Sequence, residues 1–388
     1  MVVARRYAAA SVNVTLGRRC GFRQKEVSPA LIFLDINELS IMPIKHFFLL
    51  IFLLIFFSAC QKEPQRAPIA PTLRTEPVEF DTDDPAIWYN ADDPAASLIL
   101  GTDKEVGGGL YVFDLQGRIQ YDKVISNLAY PNNVDVEYGF PLNDSTLVDL
   151  AITVERPKGL IRIFSVPAMQ PLDGGGIPAF ATETDTALQR PMGVAIYKRA
   201  ADNQFFLMLS RKQGPTDGNY LWQYAIRPDS NGVRLEQVRA FGQFSGGESE
   251  IEAIMVDDAL GYVYYSDELK GIRKYYADPE KGNEELALFG EDDFKEDREG
   301  ISLWPTGDST GYIIVSNQQD NSFNVYPRHP ANHQHELITR WYLSTVESDG
   351  NELLARPLGE QFPNGVFVAM SEDTTFHYYA LDSLTIKE

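Results

Sequence analysis

Cysteine is nearly absent from this sequence of 388 residues, which contains only Cys20 and Cys60. Residues beyond Cys60 therefore cannot form a disulfide among themselves, so an exported domain would need a large core or bound metal for its stability. No His-Glu-x-x-His sequence occurs, which removes the common helical zinc motif. Lys and Arg number 34 against 55 Asp and Glu, and the net charge of −21 argues against a nucleic-acid partner, whose phosphates require basic residues.

Close to the N-terminus, the sequence contains an export signal. Lys45 and His46 precede the apolar run 47–57, and Ser58-Ala59-Cys60 follows it. A basic segment, a short apolar core and small residues before a cleavage point are typical of a secretory signal, and this apolar run is too short to span a bilayer. The ending resembles a bacterial lipoprotein signal. It predicts a protein anchored to a membrane by a lipid on Cys60, on the periplasmic or cell-surface side; the alternative is a buried apolar strand with a chance cysteine.

The signal divides the chain into four parts. Met42 stands directly before it, and residues 1–41 look like neither a domain nor a signal, so we interpret them as a wrongly assigned upstream start. Residues 42–59 are the predicted signal peptide, and residues 60–75 are polar and rich in proline, as expected of a tether. Residues 76–388 contain no further linker and are predicted to form one domain.

The predicted domain is all-β. From Asp81 onward, short runs of aromatic and β-branched residues alternate with turn clusters, and helical periodicity is almost absent. Several units pair a strand that ends in a small or polar residue with a second, aromatic strand, as in Leu98–Thr102 followed by Leu110–Asp114. The units recur roughly every 50 residues, which is the spacing of propeller blades. We therefore predict a six-bladed β-propeller rather than a β-sandwich, which rarely needs so many evenly spaced strands.

Acidic and amide residues recur at the ends of the predicted strands. They lie in five segments, residues 81–84, 132–135, 250–252, 267–268 and 296–299. Calcium binds oxygen atoms of carboxylates, amides and backbone carbonyls. Because propeller loops from different blades converge on one face, the segments could share calcium sites; the simpler interpretation is a set of solvated acidic turns.

At these same positions the chain resembles the β-propeller phytases. The matching stretches follow one another in order along nearly all of the predicted domain: Asp83–Trp88, Asn132–Asp135, Tyr138, Phe140–Asn143, Asp257-Asp258, Gly261, Tyr264, Asp267-Glu268, Glu299-Gly300, Gly311-Tyr312, Ser316–Tyr326, Phe362-Pro363 and Gly365–Ala369. The resemblance implies a six-bladed propeller that binds several calcium ions. It also implies a phosphomonoesterase that takes an inositol phosphate as its calcium complex, and we expect a monomer.

The resemblance further implies roles for individual residues. Those that would bind calcium in a cleft on one face are Asp83, Asp84, Glu252, Glu268, Asp297, Glu299, Gln318 and Asp349, and those that would bind a structural calcium are Asn133 and Asp135. The catalytic set implied by the resemblance comprises three acidic groups near the attacking water and three basic groups for the phosphate, namely Glu252, Glu268, Glu299, Lys104, Arg156 and Lys212.

The chain also departs from the family pattern. Glu105 stands where a second lysine is common, Met192 replaces a substrate-binding tyrosine, and Ala253 replaces the glycine of a Glu-Gly pair. Asp292 and Asp293 replace basic residues. The predicted phosphate clamp is therefore thinned while the predicted metal ligands are kept. Two rivals to the phosphomonoesterase remain: a non-catalytic calcium-binding surface propeller that binds a ligand or partner, and a lactonase-type propeller with one central ion.

Overall fold

A computed structural model describes residues 67–386, apart from residue 231. The predicted upstream segment, the signal peptide, Cys60 and the first part of the tether therefore lie outside the described residues. Over the described part of the chain, no helix is long and apolar enough to cross a membrane.

Six antiparallel four-stranded sheets confirm the predicted all-β, six-bladed propeller. The strands are β1 (Leu73–Arg74), β2 (Thr82–Trp88), β3 (Leu98–Asp103), β4 (Gly109–Phe113), β5 (Ile125–Ser126), β6 (Val134–Asn143), β7 (Thr146–Glu155), β8 (Leu160–Val166), β9 (Ile177–Pro178), β10 (Pro191–Arg199), β11 (Gln204–Arg211), β12 (Leu221–Asp229), β13 (Gly232–Phe241), β14 (Ile254–Asp257), β15 (Tyr262–Asp267), β16 (Gly271–Tyr276), β17 (Ala287–Phe289), β18 (Arg298–Pro305), β19 (Gly311–Asn317), β20 (Ser322–Pro327), β21 (Thr339–Tyr342), β22 (Asn351–Leu354), β23 (Val366–Ser371) and β24 (Thr375–Ala380). Short 3-10 turns lie at Pro94–Ala96, Arg156–Lys158, Thr186–Gln189, Pro279–Lys281, Gln318–Asp320, Ala331–His333 and Leu381–Ser383.

The ring is closed by the first strand. Blades 1 to 5 are β2–β5, β6–β9, β10–β13, β14–β17 and β18–β21, in chain order, and blade 6 has the order β22-β23-β24-β1. In blade 6, Leu73 pairs with Tyr378, and Ile69 forms an isolated bridge to Leu343. The fold thus includes residues that the composition assigned to the tether.

The core lies between the blades. Each of the six hydrophobic clusters joins residues of two adjacent blades, and edge-to-face aromatic pairs cross the boundaries, such as Phe140 with Phe205 at 5.3 Å and Phe323 with Phe367 at 5.1 Å. Burial of such a side chain contributes about 1.5–3 kcal/mol. Because a blade is covered on both faces, second strands such as β11 are apolar along nearly their whole length.

Glycine allows the inner strands to approach one another where they begin. A Cβ on Gly193 would lie 1.9 Å from the carbonyl oxygen of Glu252 in the next blade, and one on Gly350 would lie 2.3 Å from Asp84 Oδ1. Any larger residue would push these strand ends apart, so the two glycines allow the neighbouring inner strands to contact Asp84 and the backbone of Glu252 closely.

Candidate active site

Every blade presents two equivalent positions at one end of the propeller. The inner and second strands pair in the register Pro85↔Gly101, Val134↔Thr153, Val194↔Leu209, Ile254↔Tyr265, Ile301↔Val315 and Asn351↔Ala369. Two residues before the first member of each pair lie Asp83, Asn132, Met192, Glu252, Glu299 and Asp349, which we call the inner ring. Three residues after the second member lie Lys104, Arg156, Lys212, Glu268, Gln318 and Glu372, which we call the outer ring.

Most residues of the two rings, together with Tyr130 and Glu250, line one cleft of about 370 Å³. The outer ring is divided by charge: blades 1 to 3 contribute its three basic residues, and blades 4 to 6 contribute its acids and its amide. The fold thus gives equivalent positions to opposite charges, on opposite sides of the cleft.

Lys104 forms ion pairs with three carboxylates. Its Nζ lies 3.2 Å from Asp349 Oδ2 and 3.4 Å from Glu252 Oε1, and it also contacts Asp83. Burial and the charge of Glu252 raise the pKa of Asp83 well above its ordinary value, although Lys104 opposes the rise. Three carboxylates, from blades 1, 4 and 6, therefore converge on a single cationic group.

The other two basic residues of the outer ring, Lys212 and Arg156, differ in the partners that they contact. Lys212 forms an ion pair with Glu250. Arg156 forms no ion pair with any carboxylate of the described residues; instead, its Nε donates to Asn132 Oδ1 at 2.7 Å, and its guanidinium carbon lies 4.6 Å from the centre of the Tyr130 ring. Arg156 is thus the one predicted clamp residue that the described part of the chain leaves without an anionic partner.

The acidic side of the cleft concentrates negative charge. Carboxylate oxygens of Glu250, Glu252 and Glu268 lie within 4.8 Å of one another. Burial, followed by repulsion from Glu252 and Glu250, raises the pKa of Glu268 to about 9, and burial together with Glu268 raises the pKa of Glu299 well above its usual range. Burial opposes ionisation of Glu252 too, but Lys104 and Arg156 outweigh it and lower that pKa. Such a set of oxygens fits a divalent cation, which would relieve the repulsion between the carboxylates.

Three predicted ligands lie beside this group, namely Gln318, Asp349 and Asp297. Gln318 Nε2 donates a short hydrogen bond to Asp349 Oδ1, so both line the cleft. Asp297 is half-buried next to it, with Oδ2 accepting from Gln319 Nε2 at 2.6 Å, and it contributes to the charge felt by Glu268. Asp297 therefore borders the cleft and does not line it.

The remaining predicted ligands line the central channel of the propeller. Asp84, which the resemblance put among the cleft ligands, turns its Oδ2 toward the backbone N–H of Val134 at 3.1 Å. Asp135 Oδ2 accepts from the N–H of Ile196 at 2.6 Å, and Asn133 Oδ1 is buried without a hydrogen-bond partner among the described residues. The structure thus separates Asp84 from the cleft and brings it to the same channel as Asn133 and Asp135, where the three offer oxygen atoms suited to a structural calcium.

The channel contains three more acids that sequence reasoning did not select, Glu137, Asp258 and Glu352. Burial, then repulsion from Glu137, raises the pKa of Asp258 to about 9, and burial raises the pKa of Glu352 to about 8. These groups are acids whose protonated forms the fold favours.

Sequence reasoning also missed four residues of the cleft region. Glu250 lies two residues before Glu252, where strand alternation would have put both side chains on one side of the chain. Tyr130 and Asn132 flank Pro131 immediately before β6, and only the contacts of Arg156 reveal them. Glu372 completes the outer ring, which only the register identifies.

Comparisons of sequence and of structure identify known proteins that are similar to this chain. The 3-phytase of Bacillus subtilis (strain 168) is 28% identical over 302 residues, which span 74% of this chain and 73% of that protein. Among solved structures, a Bacteroides uniformis (ATCC 8492) protein provisionally assigned as a 6-phosphogluconolactonase aligns with a TM-score of 0.48 at 14% identity, covering 74% of this chain and 78% of that one. The β-propeller domain of Cps50 (Swd1) from Myceliophteria thermophila aligns with a TM-score of 0.47 at 10% identity, covering 77% and 83%. These structural scores are too low to bear on the site.

The sequence model of the phytase family matches residues 48–380. This range contains strands β1 to β24, and hence all six blades, together with every residue of both rings. The chain therefore belongs to the phytase family.

Proposed function

We propose that the protein is a calcium-dependent phosphomonoesterase that hydrolyses phytate or lower inositol phosphates with a metal-activated water. One observation carries the proposal: the cleft holds the converging carboxylates of Glu250, Glu252 and Glu268 opposite the guanidinium of Arg156, which has no anionic partner among the described residues. A phosphate ester needs both a cation at its oxygens and directional N–H donors.

The acidic and the basic side of the cleft would have different roles in this reaction. The carboxylates of Glu252, Glu268 and Glu299, with Asp83, Asp349 and the amide oxygen of Gln318, would hold calcium. Bound there, the ions supply positive charge toward the substrate and lower the pKa of a water molecule. Arg156 donates two parallel N–H bonds to phosphate oxygens. Lys104 and Lys212 add point charges on the same side, so the ester is oriented with its phosphorus toward the carboxylates.

The predicted export signal adds a location to the proposal. We infer that Cys60 carries a lipid and holds the propeller at a membrane surface, outside the cytoplasm. Cys60→Ser should then abolish the uptake of a radioactive fatty acid and leave an unprocessed precursor, which is larger than the mature protein on a denaturing gel. A wild-type protein that takes up no label would contradict the anchor without affecting the enzyme proposal.

A second function is supported by one contact pattern. Both lysines of the predicted clamp are engaged by carboxylates, Lys104 by three and Lys212 by Glu250. A cleft that keeps its lysines neutralised would suit a calcium-binding surface propeller that recognises a ligand or partner without catalysis.

Phosphate release separates the two functions. The purified chain is assayed with phytate, lower inositol phosphates and an aryl phosphate near neutral pH, with calcium and with EGTA. We expect release that EGTA abolishes and added calcium restores. A folded, calcium-loaded protein that releases phosphate from none of the three substrates would overturn the enzyme proposal in favour of the binding propeller.

A further inference from the structure

We infer that Tyr130 is a positioning residue that holds Arg156 ready for a phosphate group; the inference rests on the proposed function of the cleft. Tyr130 is half-buried at the cleft wall, and the guanidinium of Arg156 lies over its ring at 4.6 Å. A guanidinium at this distance is attracted by the negative face of an aromatic ring, and the attraction grows when water is partly excluded.

The contacts of Arg156 engage one face and the Nε atom of its guanidinium group and leave its two terminal nitrogens available. One face lies on the Tyr130 ring, and Nε donates to Asn132 Oδ1 at 2.7 Å. Neither terminal nitrogen donates a hydrogen bond within the described part of the chain. A planar guanidinium fixed by its face and its Nε presents its remaining N–H groups as a fork, which matches two oxygens of one phosphate.

The same contacts tie Arg156 to the acidic side of the cleft. Asn132, which accepts from Arg156, donates from Nδ2 to Glu252 Oε1 at 2.5 Å. Asn132 is completely buried, so its amide has a fixed orientation. Arg156 is therefore set at a constant place relative to Glu252, one of the three converging carboxylates.

The backbone of Tyr130 adopts a conformation that is unfavourable for a residue of its size. Its φ is +54°, in the left-handed region that bulky residues rarely adopt. Two hydrogen bonds maintain it: the Tyr130 N–H donates to the carbonyl of Glu105 at 3.0 Å, and the Arg156 N–H donates to the carbonyl of Tyr130 at 3.4 Å. The second bond connects the backbones of the two residues whose side chains stack. Strain kept by surrounding contacts at a cleft wall is typical of a residue with a positioning role.

The test compares two replacements of Tyr130 in the full chain. Tyr130→Phe keeps the aromatic face, whereas Tyr130→Leu keeps apolar volume and loses it. With calcium present, we expect Tyr130→Leu to raise KM for phytate about fivefold to thirtyfold, the range of a partly desolvated cation–π contact, with a smaller change in kcat. Tyr130→Phe should stay within about twofold of wild type. Thermal unfolding of each variant checks that the fold is intact.

The double variant shows whether Tyr130 acts through Arg156. Tyr130→Leu should add almost nothing to the effect of Arg156→Ala, because the group it positions is already gone. Equal effects of Tyr130→Leu in both backgrounds, or failure of phenylalanine to preserve KM, would overturn the inference.

A second readout keeps the inference testable without catalysis. Calorimetric titration of the calcium-loaded protein with inorganic phosphate should show weaker binding in Tyr130→Leu and Arg156→Ala, and near-normal binding in Tyr130→Phe. If the wild type hydrolyses no ester yet binds phosphate in this pattern, the enzyme proposal falls while the positioning role stands. Phosphate binding that is unchanged in Tyr130→Leu overturns the positioning role.

Discussion

The cleft and the central channel both concentrate carboxylates but, among the described residues, carboxylates of the cleft form ion pairs with lysines and those of the channel form none. In the cleft, Lys104, Lys212 and Arg156 stand among the acids, and Glu252 has a lowered pKa as a result. In the channel, Asp258 and Glu137 share a hydrogen bond, and the pKa of Asp258 rises to about 9.

This difference indicates two uses for buried acids. Carboxylates that already pair with a lysine, such as Asp83, Glu252 and Asp349, can exchange that cation for a metal ion, whereas a buried acid that favours its protonated form, such as Asp258, contributes to stability in a pH-dependent way. The cleft should therefore control activity and metal affinity, and the channel should control stability.

The largest effect is expected in the cleft. Glu299→Gln removes a buried charge predicted to hold calcium, and we expect turnover to fall by about a hundredfold or more, because such ions act on the transition state as well as on binding. The matched channel variant, Asp258→Asn, should keep turnover within about twofold when calcium is saturating. Phosphate release from phytate measures both. Equal losses of turnover in the two variants would contradict the inference that the cleft, and not the channel, controls activity.

The channel should show its effect in stability. Burial raises the pKa of Asp258 above the value of about 3.9 in an unfolded chain, so the native state binds this proton more tightly. The stabilisation is complete below about pH 4 and is lost as pH rises through about 9. In EGTA, this group alone should therefore account for up to about 2.7 kcal/mol of the unfolding free energy that the wild type loses between pH 6 and pH 8, seen as a drop of a few degrees in Tm.

Asp258→Asn provides the control for that pH dependence. The amide keeps an oxygen to accept from the N–H of Lys198, which lies 3.0 Å from Asp258 Oδ1, but it has no proton to lose. Its Tm should vary less with pH than that of the wild type over the same window. Identical slopes in the two proteins would show that Asp258 does not govern the pH response.

The smallest effect concerns metal affinity in the cleft. Lys104 shares Asp83, Glu252 and Asp349 with any calcium that they coordinate, so the two cations compete. Lys104→Met should lower the calcium Kd by about tenfold, since removing one close positive charge is worth about 1.4 kcal/mol or more at such a site. Isothermal titration with calcium measures this change.

A lysine outside the cleft serves as the control for this titration. Lys158 pairs with Glu155 on blade 2, and Lys158→Met should leave the calcium Kd unchanged. Weaker calcium binding in Lys104→Met would mean that the lysine supports the site and does not compete with the ion.

The fold could be predicted further than the site. Central strands are apolar because neighbouring blades cover them, so their pattern is visible in the sequence, and β3 (Leu98–Asp103) agrees with the predicted strand Leu98–Thr102 to within one residue. Outer strands such as β13 alternate with exposed charged residues, and β6 carries register shifts and a proline, so neither was recognised. The blade count survived these omissions because it depends on the spacing of the central strands.

The functional residues could be selected from the sequence, but they could not be assigned to the cleft or to the channel. Asp83 and Asp84 are neighbours in sequence, yet Asp83 contacts Lys104 in the cleft, while Asp84 accepts from Val134 in the channel. Successive side chains of a strand point to opposite sides, so this assignment requires knowledge of which side of the strand faces the axis. Arg156 was selected by resemblance alone, and its support by Tyr130 depends on a loop conformation that no periodicity encodes.

The pairing of β1 with β24 has a consequence for the order of assembly. Phe376 N–H donates to Thr75 Oγ1 across 301 residues of chain, so the first strand has no partner in its blade until the last has been made. Five blades can form from consecutive strands as the chain emerges, whereas the sixth must wait for synthesis to finish. Contacts of such separation slow folding, because the loop they close is large. The seam between the two ends of the chain is accordingly where an incomplete product would remain open: a chain stalled before β24 leaves β1 without a partner, and a chain that lacks β1 leaves the edge of β24 exposed to other strands.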